Sequence, residues 1–187
     1  MKNAAFKIVG ISPLSQSKYI REKKPSQETD EDFEKRVWRQ RIHVDDERMC
    51  FIPAMALKFG LAAMVKYNGM KVPGRAKSTY TKHFEAGILV TDNMDLGVTP
   101  DAFEEEWILV NSDGVRGSGK RVMRCYPRLK EWSCQASILI VDELITEEVL
   151  KIHLDLMGQL NGLGRFRPRQ GGYYGRFVIE DLRVTAA

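Results

Sequence analysis

Hydrophobic and polar positions along the chain follow patterns that predict several strands. Residues 5–14 alternate into an apolar run and predict a first strand that ends at Pro13. Residues 137–141 form a short apolar run typical of a buried strand, and residues 176–184 alternate as a closing strand. Shorter strands are predicted at 42–44, 49–52, 88–90 and 107–110.

Two segments carry a clear helical pattern. Pro53 suits the first position of a helix, and the Asn-Gly pair at 68–69 ends it. The residues that recur at helical spacing in it are Met55, Phe59, Ala62, Ala63 and Lys66. Thr146 caps a second helix that ends at 161–162. Its apolar stripe consists of Val149, Ile152, His153, Leu156, Met157 and Leu160. A weaker helical pattern covers residues 30–41.

The order of these elements indicates the fold class. Strand, helix, strand, strand, helix, strand is the ferredoxin-like order. We therefore expect an α+β fold in which two main helices cover one face of an antiparallel sheet. The other face would be free for a ligand, as in the RNA recognition motif (RRM). We expect a single domain over residues 1–187, with inserted basic loops or hairpins at about 15–50, 70–84 and 111–131.

Composition narrows the functional classes. The chain has 187 residues, of which 43% are hydrophobic, enough for a packed core. No run of 18 apolar residues is present, and the N-terminus lacks the apolar core of a signal peptide. Cys50, Cys125 and Cys134 show no CxxC spacing, so we expect reduced thiols and neither disulfides nor a zinc site. The sequence predicts a cytoplasmic protein with no membrane span, no metal and no cofactor.

Charge is segregated along the chain, whose formal net charge is +4. Three runs, at 66–84, 114–130 and 162–177, contain basic residues and no acid. Acids concentrate instead at 28–34 and 92–106. Three separate acid-free runs, each with glycine and an aromatic residue, are typical of a surface that binds a polyanion.

Residues 162–177 are the most informative of these runs. They contain five glycines, four arginines and four aromatics. The glycines permit close backbone approach, and they are Gly162, Gly164, Gly171, Gly172 and Gly175. The arginines offer planar forks for phosphate, and they are Arg165, Arg167, Arg169 and Arg176. Tyr173 and Tyr174 stack on bases, unless one of them faces the core. This glycine-rich loop therefore predicts a segment that holds a nucleic-acid backbone.

The other basic runs extend this predicted path. The residues that we expect to continue it are Lys71, Arg75, Lys77, Lys82, Arg116, Lys120, Arg121 and Arg124. The segment around Lys120 fails the phosphate-loop spacing because Arg121 stands where Ser or Thr is required, so nucleotide hydrolysis is not expected. Binding through phosphates would be tolerant of sequence and sensitive to salt.

Three features together resemble one family. They are the strand at the N-terminus, the helix entry Phe51-Ile-Pro-Ala-Met-Ala-Leu-Lys-Phe-Gly-Leu, and the glycine-rich loop between the last helix and strand. The chain resembles the RAMP superfamily of CRISPR-associated RNA-binding proteins, nearest to the backbone subunit that polymerises along a guide RNA. Ala54 stands where that family often has glycine. The resemblance implies single-stranded, guide-like RNA and copies of the chain itself as partners in an antiviral ribonucleoprotein. A stand-alone or mobile-element relative stays open.

Three alternatives remain open at this point. The first is a RAMP-type endoribonuclease, whose candidate residues are His83, with Tyr80 and Lys82 beside it, or Asp30 or Asp32. The resemblance implies such an aspartate in a loop after the first strand, although helix N-terminal charge explains the acids equally well. The second is a protein-binding mimic or inhibitor of a CRISPR effector complex. The third is a single-stranded DNA-binding protein.

Overall fold

The structure is a computed structural model, and it describes residues 1–75, 77–112, 117 and 119–187. Its strands are β1 (Lys2–Gly10), β2 (Leu14–Ser15), β3 (Phe51–Ile52), β4 (Ile88–Leu89), β5 (Met94–Asp95), β6 (Glu104–Asn111), β7 (Arg121–Leu129), β8 (Ser133–Ile140) and β9 (Phe177–Ala186). Its α-helices are α1 (Asp30–Val37), α2 (Ala54–Asn68), α3 (Thr81–Gly87) and α4 (Glu147–Leu156). A π-helical turn, Met157–Asn161, extends α4.

The main sheet has the strand order β4-β8-β1-β9 and is antiparallel throughout. Alternate residues of β1 and β8 are buried in a core that also contains the apolar side chains of α2 and α4. In chain order, β1, α2, β4, β8, α4 and β9 form the ferredoxin-like frame. The fold class expected from the sequence is confirmed.

The strand register defines two ends of this sheet. At one end, called the loop end, Gly10 of β1 pairs with Phe177 of β9, next to the glycine-rich loop. At the other, called the far end, Ile140 of β8 pairs with Lys2 and with Ile88. The two ends lie roughly 25 Å apart, the length of an eight-residue strand.

The local signals for the two main helices are confirmed. Pro53 precedes α2, and Gly69 ends it in the left-handed region with φ of 62°. Thr146 accepts a hydrogen bond from the backbone N–H of Val149 at the start of α4. The buried face of α2, however, consists of Ala54, Leu57, Gly60, Leu61, Met64 and Val65. Met55 and Phe59, which share the helical spacing, lie on its exposed side.

The open face of the main sheet lacks the chemistry of an RRM. The outward residues of β1, β8 and β9 are small, polar or aliphatic, and none is aromatic. Lys7 on this face forms an ion pair with Glu180, the two charged atoms being 3.7 Å apart. Because an RRM stacks bases on aromatic residues of its sheet, this face is not suited to that mode of binding.

A second sheet, in the order β2-β7-β6, has its two long strands between β4 and β8 in the chain. The sequence predicted a loop or hairpin over 111–131, and the structure shows that Arg121–Leu129 within it form a regular strand paired with β6. The sequence also predicted a basic loop over 70–84, and α3 begins inside it at Thr81. The division of the chain into one domain with insertions stays a prediction.

Lys58 fixes the end of α3 from the neighbouring helix. Its ammonium Nζ donates to the backbone oxygens of Phe84 (2.9 Å), Glu85 (2.9 Å) and Ile88 (2.6 Å). We expect Lys58→Met to lower the free energy of unfolding by about 1.5–3 kcal/mol, because carbonyls that accepted bonds from a charged donor lose them. Urea denaturation measures this. Lys66→Met, on an exposed site of the same helix, is the control, and an equal effect of the two changes would contradict the prediction.

Candidate nucleic-acid interface

The glycine-rich loop is fixed to the segment between β1 and β2. The backbone N–H of Gly175 donates to the Pro13 oxygen at 2.7 Å, and the N–H of Arg165 donates to the Ser15 oxygen at 2.7 Å. The Ser12 hydroxyl donates to the Tyr173 oxygen at 2.7 Å. These bonds hold the loop at the loop end of the main sheet.

The glycines of this loop permit close packing within the protein itself. A Cβ atom on Gly175 would lie 1.8 Å from the Leu163 oxygen, and one on Gly172 would lie 1.7 Å from the Phe166 oxygen. A Cβ atom on Gly164 would lie 2.4 Å from the Ser15 oxygen. The sequence interpretation assigned this close approach to a nucleic-acid backbone, whereas at these three positions the neighbour is the protein's own backbone.

A cleft of about 1090 Å³ separates the glycine-rich loop from the β6–β7 hairpin and from residues 17–22. Among the described residues, its basic side chains are Lys18, Arg41, Arg121, Arg124 and Arg165. Its aromatic side chains, again counted within the described part of the chain, are Tyr19, Phe33, Tyr126, Phe166, Tyr173 and Tyr174. Among the described residues that line the cleft, Glu22 is the only acidic one. The arrangement is suited to a polyanion with flat bases.

Beneath the cleft, Glu34 holds two of these arginines. Its carboxylate is fully buried and accepts hydrogen bonds from Arg41 Nη2 at 2.6 Å, Arg124 Nη1 at 2.6 Å and the Cys125 backbone N–H at 3.0 Å. Burial alone would raise the pKa of Glu34, but these bonds outweigh it and lower the pKa below its ordinary value of 4.5. Glu34 therefore stays ionised and orients both guanidinium groups along the edge of β7.

The aromatic residues of the cleft divide into exposed and supporting groups. Tyr19, Phe166 and Tyr173 are 84%, 46% and 48% exposed and are available to stack on bases. Tyr174 is buried, and its hydroxyl donates to the Glu106 carboxylate at 2.5 Å. Of the two adjacent tyrosines, the one facing the core is therefore Tyr174. Tyr126 supports Arg165, whose guanidinium carbon lies 3.5 Å from the centre of its ring.

The four arginines of the loop occupy different surroundings. Arg165 and Arg167 are partly buried, and burial lowers the pKa of each. Arg167 Nη1 donates to the Gly164 oxygen at 3.2 Å, and Arg176 Nε donates to the Gln159 oxygen at 3.2 Å. Arg169 is exposed, beside Gly171 in its left-handed conformation with φ of 77°.

The structure does not bring the described basic residues of the 70–84 run to the cleft. Lys71, Arg75 and Lys77 are exposed on the segment between α2 and α3, and Lys82 is exposed on α3 itself, at the far end. Of the hairpin residues, Arg121 and Arg124 line the cleft, whereas Lys120, which is exposed and precedes β7, is not among the described lining residues. Arg116 falls outside the described residues.

The histidines have separate environments. His83 Nδ1 lies 2.7 Å from Asp142 Oδ2 at the far end, and hydrogen bonding to His83 lowers the pKa of Asp142. His153 is buried in the core as expected, and burial lowers its pKa. His43 borders a smaller cavity beside the cleft, and its pKa is lowered by burial and by Lys18. The pairing of His83 with an aspartate is compatible with a general base, but the pair is remote from the cleft.

The candidate acids belong to the start of α1. Thr29 caps this helix by accepting from the Asp32 backbone N–H at 3.1 Å, and Lys24 forms an ion pair with Asp30 at 2.7 Å. Over the described ranges, no group of three or more His, Cys, Asp or Glu residues could hold a metal ion. Within the same ranges, the helices are too short or too polar to span a membrane.

Several cleft residues were missed by reasoning from sequence. Lys18 and Tyr19 lie in the insertion predicted at about 15–50 and were not singled out, although an aromatic among basic residues was a usable signal. Arg41 and Tyr126 lie 85 positions apart in the sequence, yet the Arg41 guanidinium carbon is 4.9 Å from the centre of the Tyr126 ring. No local pattern indicates that pairing.

Comparisons with known proteins address the fold. No family model matches the chain, and no curated protein matches its sequence. Among solved structures, the chain is similar to one chain of the Type III-B Cmr-beta bound to cognate target RNA, determined by cryo-electron microscopy. The two chains share a fold. They align with a TM-score of 0.61 and 13% sequence identity, over 99% of this chain and 61% of that chain. This likeness agrees with the fold that the RAMP resemblance implies.

Proposed function

We propose that the protein binds single-stranded RNA in the cleft between the glycine-rich loop and the β6–β7 hairpin. The observation that carries this proposal is the lining of the cleft, which combines permanently charged guanidinium groups with exposed aromatic rings. Such a surface binds phosphates electrostatically and bases by stacking. The fold likeness to a chain of an RNA-bound complex supports the same function.

The finer part of the proposal is that the protein acts as a RAMP-type subunit of a CRISPR-related ribonucleoprotein, with several copies on one guide-like RNA. The supporting features are the helix entry at 51–61 and the position of the glycine-rich loop between α4 and β9. Sedimentation of the protein with RNAs of increasing length tests it. The mass bound per RNA should rise in steps with RNA length.

The cleft proposal predicts a large effect of charge reversal. We expect the double variant Lys18→Glu with Arg121→Glu to bind a labelled 20-nucleotide RNA at least about tenfold more weakly than the unchanged protein. Both residues line the cleft, and neither belongs to the ion pairs found within the described residues. The slope of log affinity against log salt should also become less steep, by about 0.7 for each phosphate that the variant no longer neutralises. Fluorescence anisotropy at several salt concentrations measures both quantities.

Two further variants make that experiment decisive. The double variant Arg183→Glu with Lys151→Glu changes the net charge by the same amount as the cleft variant. Its two sites lie away from the cleft, on the open sheet face and on α4, so it should retain most of the affinity. Lys77→Glu with Lys82→Glu reports whether the RNA path reaches the far end. If all three double variants lose affinity equally, binding is a diffuse charge effect and the cleft proposal is wrong. A DNA of the same sequence distinguishes RNA binding from general single-strand binding.

The endoribonuclease alternative rests on the His83–Asp142 pair. A fixed Nδ1 contact leaves Nε2 as the atom that would accept a proton from a 2′-hydroxyl. This candidate is weaker than binding because the cleft and the pair occupy opposite ends of the sheet. Incubation of end-labelled RNA with and without EDTA tests it, and cleavage that disappears in His83→Ala would favour it over binding alone.

A further inference from the structure

A smaller cavity of about 350 Å³ lies beside the cleft, and Arg165 lines both spaces. Leu14, Ile52 and Pro53 form an apolar part of its wall. The polar part includes Ser17, His43 and Arg167. Small-molecule sites commonly have volumes of about 300–1,000 Å³ and combine an apolar wall with a few polar groups. The cavity therefore has the size and the lining of a site for one small polar group.

The two guanidinium groups that line this cavity have no carboxylate in direct contact among the described residues, although Glu106 acts on Arg165 from a longer distance. Within the described part of the chain, no carboxylate lies within 4 Å of the guanidinium group of Arg165 or Arg167. Arg165 has instead the Tyr126 ring and a 3.4 Å contact to the Ser15 hydroxyl. Arg167 Nε is buried and has no hydrogen-bond acceptor among the described residues. Desolvated charges are normally paired, so two such groups beside one cavity indicate a missing anion.

We infer that this cavity binds a phosphomonoester, such as the terminal phosphate of the RNA strand held in the cleft. A phosphomonoester carries a charge of about −1.5 to −2 at neutral pH, which suits two guanidinium groups that no carboxylate contacts. An internal phosphodiester carries a single negative charge and would leave one of them uncompensated. Arginine forks also bind phosphate oxygens in pairs, which an exposed lysine does not do.

The position of Arg165 connects this cavity to the proposed RNA path. Arg165 lines both the cleft and the cavity, and Ser17 and Gln170 also line both, so the two spaces adjoin at these residues. The strand end therefore has a short route from the cleft into the cavity. The inference rests on the proposed function for this route, while the charge argument stands on the cavity alone.

Binding of matched RNAs tests the inference. Four 12-nucleotide RNAs of one sequence would be compared by anisotropy: hydroxyl-ended, 5′-phosphorylated, 3′-phosphorylated, and phosphorylated at both ends. We expect one terminal phosphate to raise affinity at least about tenfold, the factor that a charge-assisted hydrogen bond contributes. In Arg167→Gln, phosphate-ended RNA should bind no more tightly than hydroxyl-ended RNA, so the ratio of the two affinities should fall to one. Arg169→Gln, a change to an exposed arginine of the same loop, should keep that ratio.

The outcomes separate this inference from the proposed function. If hydroxyl-ended RNA binds and no terminal phosphate improves its affinity, the cavity inference is wrong and the cleft proposal stands. If no RNA binds, adenosine monophosphate is used as the probe in calorimetry with the unchanged protein and with Arg167→Gln. Binding that depends on Arg167 then supports a phosphomonoester site without the cleft. Failure of the mononucleotide as well overturns the inference.

Discussion

Replacing Glu34 by alanine is expected to lower the free energy of unfolding by about 3–5 kcal/mol, the cost of breaking a buried ion pair from one side. The change leaves Arg41 and Arg124 without their carboxylate and leaves the Cys125 N–H without an acceptor. It also releases the edge of β7, which Glu34 and Arg41 cover together, since Arg41 Nε donates to the Cys125 oxygen at 3.0 Å. Urea denaturation followed by circular dichroism measures the loss.

The pH dependence of stability provides an independent check on Glu34. Its pKa in the folded protein lies below the ordinary value of 4.5, so the unfolded chain binds the proton more readily. The stabilisation is therefore fully present above pH 4.5 and is lost as the pH falls through the folded pKa. Glu34→Gln should remove this dependence on acid while keeping the side-chain volume.

Glu31 offers a matched control on the same helix. It lies in the first turn of α1 and is exposed. Glu31→Ala should cost no more than about 1 kcal/mol, the contribution of a charge at a helix N-terminus. If Glu34→Ala and Glu31→Ala have similar small effects, the buried ion-pair network does not stabilise the protein as argued.

The frame of this fold was predictable because its signals are local. Pro53 and Gly69 bound α2 through backbone preferences that hold in any context, and Thr146 caps α4 through its own hydroxyl. By contrast, β7 was obscured by its arginines, which look like loop residues when read alone. Arg124 and Arg128 are tolerated in a strand because Glu34 and Glu104 neutralise them from other elements.

The candidate site was predictable only where its residues are contiguous. The glycine-rich loop was visible because arginine, glycine and aromatic residues follow one another within it. Its partners in the cleft come from three other parts of the chain, at 17–22, 33–41 and 108–126. The 70–84 run has the same composition as a binding segment, yet α2 and α3 carry its described basic residues to the far end. Composition indicates the chemistry of a segment, whereas the tertiary fold decides which segments share a surface.

Substituting alanine for Gly175 is expected to lower the free energy of unfolding by about 2–5 kcal/mol and to weaken RNA binding at the same time. Gly175 has φ of 69°, which costs a residue with a side chain about 1–2 kcal/mol. Its new Cβ would also lie 1.8 Å from the Leu163 oxygen, so the backbone must move, and forced packing costs typically about 1–3 kcal/mol more. That movement would break the Gly175 bond to Pro13 and shift Arg165 away from Tyr126.

The variant Gly97→Ala distinguishes backbone strain from steric collision as the cause of the loss. Gly97 has φ of 66° and nothing within 4 Å of an added Cβ, so Gly97→Ala imposes the conformational strain without the collision. Thermal denaturation of both variants should show the larger loss for Gly175→Ala, and anisotropy below the melting transition should show weakened RNA binding for that variant alone. Equal losses of stability would mean that backbone strain explains both changes. Unaltered RNA affinity in a folded Gly175→Ala protein would mean that the shape of the glycine-rich loop does not position the arginines for binding.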